Sequence, residues 1–212
     1  MRLTEEAKAG LENLLDPPRL WSRTDVLLRP CPVPRKAGVY AWYFGKLPPG
    51  VPANGCHVHR GTTLLYVGIS PKKPPGNGAP PSRQRLFDRV RYHFRGNAYG
   101  STLRLTLGCL LADCLGIQLQ RVGSGRLTFG PGEAKISEWM EENAFVAWTP
   151  TDIPWELEHH LIGSLSLPLN LAGNSTHPFY ASLTEARRRQ KLAANSPVLE
   201  SGSIRADTSS VD

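Results

Sequence analysis

The chain has 212 residues and a mass of 23.3 kDa, room for one core with insertions and too little for two full domains, since single cores occupy about 100 to 200 residues. Hydrophobic residues make up 40% and charged residues 20%, usage that excludes wholesale disorder, and no internal period points to a fibrous or repeat protein. Twenty-five basic residues against 18 acidic ones give +7, carried by 18 Arg and only 7 Lys; this favours a phosphate-bearing partner, because the guanidinium fork grips phosphate oxygens in pairs, although a GC-rich genome also enriches arginine.

In chain order, Glu5 to Leu15 reads as a short helix stopped by Asp16-Pro17-Pro18. Residues 1–30 are an N-terminal helical extension to a domain over 31–194. Val39 to Phe44, opened by Gly38, is β-branched and aromatic and predicts a strand, as does Leu64 to Ile69. The proline- and glycine-rich stretch from Gly45 to Thr63 predicts a long loop joining an antiparallel pair. A second such loop covers 71–82. A helix is expected from near Ser82, as N-cap, through Arg95, with Leu86, Val90 and Phe94 on one stripe and Gly96-Asn97 ending it. Leu103 to Leu115 predicts an apolar helix and Gln118–Val122 with Arg126–Phe129 a hairpin, together an insertion over about 102–132. Glu133 to Asn143 is an acidic helix, Ala144 to Trp148 a strand, and Pro154 opens a helix to about Ser166. From Asn195 onward the Ser-rich tail is expected to be disordered. The order of elements therefore reads as a small α+β or mixed α/β sheet protein.

The N-terminus lacks a basic region followed by an unbroken apolar run, and the most apolar stretch, Leu103 to Leu119, contains Arg104 and Asp113. No membrane span and a cytoplasmic location are expected. The cysteines (Cys31, Cys56, Cys109, Cys114) read as buried thiols.

Two helices carry unusual polar residues. With Leu157 at zero and about 100° per residue, Leu161, Leu165 and Ile162 fall at about 40°, 80° and 140°. Glu158 falls inside that stripe at about 100°, whereas Glu156 lies on the far side. A carboxylate facing a core is costly unless paired, protonated or bound to a cation. In the basic helix, Arg85, Arg89 and His93 form one column, and Arg83 to Arg104 holds six arginines against Asp88 alone.

These residues carry a resemblance. Gly38-Val39-Tyr40 and Tyr66-Val67-Gly68 resemble the two half-motifs of the GIY-YIG nuclease superfamily. Arg89 with His93 resembles its helix arginine and companion histidine. LEHHLIGSLSLPLN, with Glu158 and, twelve residues on, Asn170, resembles its helix glutamate and terminal asparagine. Both central motif positions are Val rather than Ile, and the loops at 45–63, 71–82 and 102–132 are enlarged. The resemblance implies an antiparallel three-stranded sheet near 39–44, 64–69 and 144–148.

It also implies a metal-dependent endonuclease acting on DNA. Glu158 would hold one divalent cation, Mg²⁺ with Mn²⁺ able to stand in, since Mg²⁺ keeps several waters and needs only one or two carboxylates. Arg89 would grip the scissile phosphate, with His93 and Arg85 extending the cationic edge. One of Tyr40 and Tyr66 would help activate water, and Asn170 would brace the site. Arg83, Arg85, Arg91 and Arg95 would lie along the DNA backbone. The competing reading is a catalytically silent DNA- or junction-binding module of the same fold. Cys56-His57-x-His59 lacks the four ligands of a closed zinc site, His159-His160 lacks zinc-protease spacing, and Arg187-Arg188-Arg189 reads first as a solvated helix face.

Overall fold

The computed structural model of the protein describes residues 4–76, 82–123 and 125–195. The expected disordered tail, from 196 on, and part of the 71–82 loop lie outside the described residues. In chain order the elements are α1 (Glu5–Leu15), α2 (Arg23–Leu27), β1 (Gly38–Phe44), β2 (Val58–His59), β3 (Thr62–Ser70), α3 (Leu86–Arg95), α4 (Thr102–Leu115), β4 (Gln120–Val122), β5 (Arg126–Thr128), α5 (Gly132–Asn143), β6 (Ala144–Pro150), α6 (Pro154–Ser164) and α7 (Tyr180–Ala193).

The main sheet is antiparallel with order β2-β3-β1-β6, and β4-β5 is the expected separate hairpin. The three-stranded expectation is thereby corrected to four. Val58 and His59, inside what reads as a continuous loop, turn back through Arg60 and Gly61 to pair with Thr63 and Thr62. Arg60 and Gly61 both take positive φ there, 47° and 76°, and two paired residues are too few to show any periodicity in the sequence.

β1 is buried at every position, which is why it shows no polar alternation: both faces of the sheet are covered. Val39, Ala41 and Tyr43 join Leu14 of α1, Val67 of β3 and Leu157 and Leu161 of α6 in one core. Tyr40, Trp42 and Phe44 face the other way, into a larger core with Leu86, Val90 and Phe94 of α3, Leu103 and Leu107 of α4 and Met140 of α5. A register shift opposite Trp42/Tyr43 inserts Leu65 as a bulge, so that Tyr66 opposes Trp42 and emerges on the face of Tyr40. At the β6 edge Trp21 exchanges backbone hydrogen bonds with Val146 (3.0 and 2.9 Å) and stacks on Trp148 at 5.4 Å.

The start of α3 also corrects the expectation. The helix begins at Leu86 rather than near Ser82, whose hydroxyl instead accepts from the Gln84 amide. Its first free amides are satisfied from outside, Leu86 by Lys36 O (3.0 Å) and Phe87 by Pro34 O (3.1 Å), and Asp88 accepts from the Arg85 amide. This fastens α3 to the segment that leads into β1 and fixes its height over Tyr40. Gly38 permits that docking, since a Cβ there would collide with Thr149 O and lie 2.7 Å from Leu86 Cδ1.

Candidate active site

Tyr40 and Gly68 are register partners, and the pairing explains the glycine. A Cβ on Gly68 would lie 2.5 Å from the Tyr40 hydroxyl and 2.7 Å from Cζ; the missing side chain is the space in which the tyrosine ring lies. α3 then lays two side chains against that hydroxyl. Arg89 Nε donates to it at 3.4 Å, and His93 Nε2 lies 3.0 Å away. Arg89 is held from its other end by Gly100 O, to which a terminal nitrogen donates at 2.7 Å. His93 Nδ1 lies 2.7 Å from Ser101 Oγ, and that oxygen also accepts from the Arg104 amide as N-cap of α4. One hydroxyl thus joins the imidazole to the start of the next helix.

His93 stands corrected by this geometry. It is fully buried, between Tyr40, Tyr66 and the edge of Trp42, and burial, with the charges of Arg89 and Arg104, holds its pKa well below the usual histidine value. It is a neutral hydrogen-bonding ring and no part of a cationic edge. Both tyrosine hydroxyls are pushed up by burial, with Arg89 opposing the shift in each. They are therefore protonated.

Glu158 reaches the site from α6. It is half-buried and makes no hydrogen bond or ion pair among the described residues, and burial raises its carboxyl to about 7. Its charge acts on both Tyr40 and Tyr66, whereas Glu156 is exposed. Asn170 is buried and clasps β3 beside Tyr66: its Oδ1 accepts from Val67 N and its Nδ2 donates to Val67 O, both at 2.9 Å. Among the described residues it makes no hydrogen bond to the Tyr40 hydroxyl cluster, and it orders the strand that carries Tyr66.

The remaining sequence candidates divide. Arg83 and Arg95 are exposed and Arg85 is half-buried at the start of α3. Arg91 is engaged within the fold, donating to Val26 O at 2.9 Å and lying over the Phe87 ring at 5.1 Å. His57 and His59 bind the end of α1, through Leu15 O at 2.7 Å and Asp16 at 3.2 Å. Among the described residues no group of three or more His, Cys, Asp and Glu side chains could hold a metal. Ser101, which sequence reasoning passed over, had a legible signal: a serine directly before an apolar helical run.

Tyrosines on adjacent strands of a curled sheet, a helix arginine against one of them and a lone half-buried glutamate from a later helix define a compact α+β site suited to phosphate chemistry. The GIY-YIG catalytic domain model matches residues 38–189, and the chain belongs to that family of nucleases. No curated protein and no solved structure matches it. Among the described residues no helix is long and apolar enough to cross a membrane.

Proposed function

We propose that the protein is a metal-dependent endonuclease that hydrolyses DNA phosphodiester bonds. The observation that carries this reading is the convergence on the Tyr40 hydroxyl of Arg89 and a neutral His93, with the unpaired Glu158 carboxylate acting on the same group. A half-buried carboxylate with no hydrogen bond or ion pair among the described residues fits a divalent cation, and since no group of three or more ligating side chains gathers among those residues, that cation would keep most of its waters, as Mg²⁺ does and Mn²⁺ can. Glu158 would hold it; when bound, it neutralises phosphate charge and polarises water.

The chain's own groups supply the rest. Arg89 offers the terminal nitrogen that makes no bond among the described residues to a phosphate oxygen, where charge grows during displacement. Its Nε–H fills one lone pair of Tyr40, which leaves the hydroxyl proton for His93 Nε2, with Nδ1–H donating to Ser101. In that tautomer the neutral His93 accepts the hydrogen bond of the hydroxyl, and Tyr40 oxygen keeps its remaining lone pair to accept a hydrogen bond from the attacking water and orient it, so neither tyrosine has to ionise. Arg83, Arg85 and Arg95 present charge to the flanking backbone, with Arg91 contributing less because Val26 O holds it.

The test is nicking of supercoiled plasmid and of branched and linear oligonucleotide duplexes with Mg²⁺, Mn²⁺ or EDTA. Glu158→Ala is expected to abolish cleavage while leaving binding and folding nearly unchanged, and Glu156→Ala to be close to silent. Equal behaviour of the two variants would remove the metal assignment. Binding without metal-dependent nicking by the unaltered protein would leave the silent DNA- or junction-binding module as the reading.

A further inference from the structure

We propose that Arg187, on the inward face of α7, is a second phosphate-binding residue of this site, gripping the substrate backbone on the Tyr66 side as Arg89 does on the Tyr40 side. The proposal rests on the nucleic-acid reading above.

The run Arg187-Arg188-Arg189 looks uniform in sequence, and the fold splits it. Leu183 and Ala186 are the buried residues of α7, and Gln190 Oε1 accepts from the Leu119 amide at 3.1 Å. Positions 183, 186, 187 and 190 follow the i, i+3, i+4, i+7 spacing of one helix face. That face packs on α4, so Arg187 enters the structure with the leucine one turn before it. Arg188 and Arg189 are exposed, and Arg188 is taken up by Glu185 through two hydrogen bonds of 2.7 and 2.8 Å.

Arg187 has no such partner. It is half-buried, and among the described residues it makes no hydrogen bond or ion pair. Burial works against its charge, and the groups whose fields it feels are the Cys109 thiol and the Tyr66 hydroxyl. Neither is an anion: burial raises the thiol to about 12 and pushes the tyrosine up as well. A partly desolvated guanidinium beside two neutral groups lacks the counter-charge that makes such a position favourable. A phosphate diester entering beside Tyr66 supplies it, in a geometry the fork suits. With Arg89 at Tyr40 the site would then hold two phosphates of one strand, so its substrate is a polynucleotide rather than an isolated phosphodiester. The matched family domain ends at residue 189, and α7 reaches Arg187 within it.

The experiment measures binding of a fluorescein-labelled DNA duplex by anisotropy across a salt series, in the Glu158→Ala background so that nothing is cleaved. Arg187→Met keeps the apolar stem and removes the charge. It is expected to weaken binding and to shrink the slope of log affinity against log salt by roughly 0.9, the value of one phosphate contact on duplex DNA. Arg188→Gln should leave the slope where it was, and Arg187→Lys should restore it while only partly restoring affinity. Melting temperatures read in parallel report the fold. If Arg187→Met binds with unchanged affinity and slope, the stem alone matters and the proposal fails while the nuclease reading stands. If the unaltered protein neither binds nor nicks DNA, both readings fall together.

Discussion

Arg89 and Arg104 leave neighbouring parts of one short stretch of chain, and burial treats them differently. Arg104 is fully buried and lies among acceptors: Glu133 Oε2 at 3.0 and 2.8 Å, Glu133 O at 2.6 Å, Ser137 Oγ at 3.1 Å and the last carbonyls of α3 at 3.4 Å. Glu133 is equally occupied, its other oxygen accepting from Ala98 N, Thr128 Oγ1 and Phe129 N. Among the described residues Arg89 bonds a hydroxyl and one carbonyl and pairs with no carboxylate. The saturated guanidinium ties α3, α4, the hairpin and α5 into one corner; the unsaturated one keeps charge available at the tyrosines. The partners of an arginine, more than its depth, decide whether it serves the fold or the site.

The largest expected effect tests the corner. Arg104→Ala leaves the Glu133 carboxylate uncompensated in the interior, and loss of one partner of such a pair costs about 3–5 kcal/mol. Chemical denaturation should show this loss, while cleavage per folded molecule stays near that of the unaltered protein. Next comes Arg89→Ala, expected to lower turnover by about 10²- to 10³-fold, the scale of losing one strong donor to a developing charge, with little change in the denaturation midpoint. Arg89→Lys should recover only part, since a point charge lacks the fork. An Arg104 variant that stayed stable but inactive, or an Arg89 variant that unfolded, would invert the comparison.

Asn170→Ala sits between the two. It orphans the Val67 amide and carbonyl in a buried strand, at roughly 1–3 kcal/mol for each unsatisfied group. Because the asparagine braces the Tyr66 strand with no hydrogen bond to the hydroxyl cluster among the described residues, stability should fall by about 2 kcal/mol or more, with activity reduced mainly through the folded fraction. Asn170→Asp, whose second oxygen would face the Val67 carbonyl acceptor to acceptor in a buried site, should lose no less. A large turnover defect in a variant of unchanged stability would give Asn170 a direct role.

How much of this was legible follows from what each signal encodes. The two half-motifs mark β1 and β3 because aromatic and β-branched runs suit a central strand, whereas a glycine within one signals close approach of another group. That Gly68 makes room for the Tyr40 ring depends on the register of the pair, which no single strand reveals. Glu158 stood out because an acid inside an apolar helical stripe conflicts with its surroundings, and such conflicts mark sites. His93 misled because the column Arg85, Arg89, His93 suggested a charged edge. The buried stripe of α3 is Leu86, Val90, His93 and Phe94, the i, i+4, i+7, i+8 series, which puts the histidine inside. The Arg104–Glu133 tie and the inward turn of Arg187 rest on contacts between elements far apart in sequence, and nothing in the local pattern distinguishes those arginines from solvated ones.

The smallest effect concerns the charges that burial suppresses for want of a partner such as Glu133. His93 is held well below its ordinary 6.5 in the fold, so below about pH 6.5 the unfolded chain binds a proton the folded one refuses, and stability falls on acidification by about 1.4 kcal/mol per pH unit. Glu158 is raised from 4.5 to about 7. Between those values the folded chain holds a proton the unfolded one has released, so stability falls as pH rises, with the opposite slope. In metal-free buffer the two slopes oppose each other between about pH 4.5 and 6.5, where both windows overlap. Glu158→Gln should remove one of them and make denaturation midpoints drop on acidification more steeply than in the unaltered protein. His93→Gln should remove the other and make them rise. His177, lowered by partial burial, is common to all three proteins, so the differences isolate the two site residues. Parallel curves for the three would mean that neither charge is suppressed by the fold, and that Tyr40 lies between an ionised glutamate and a histidine free to protonate.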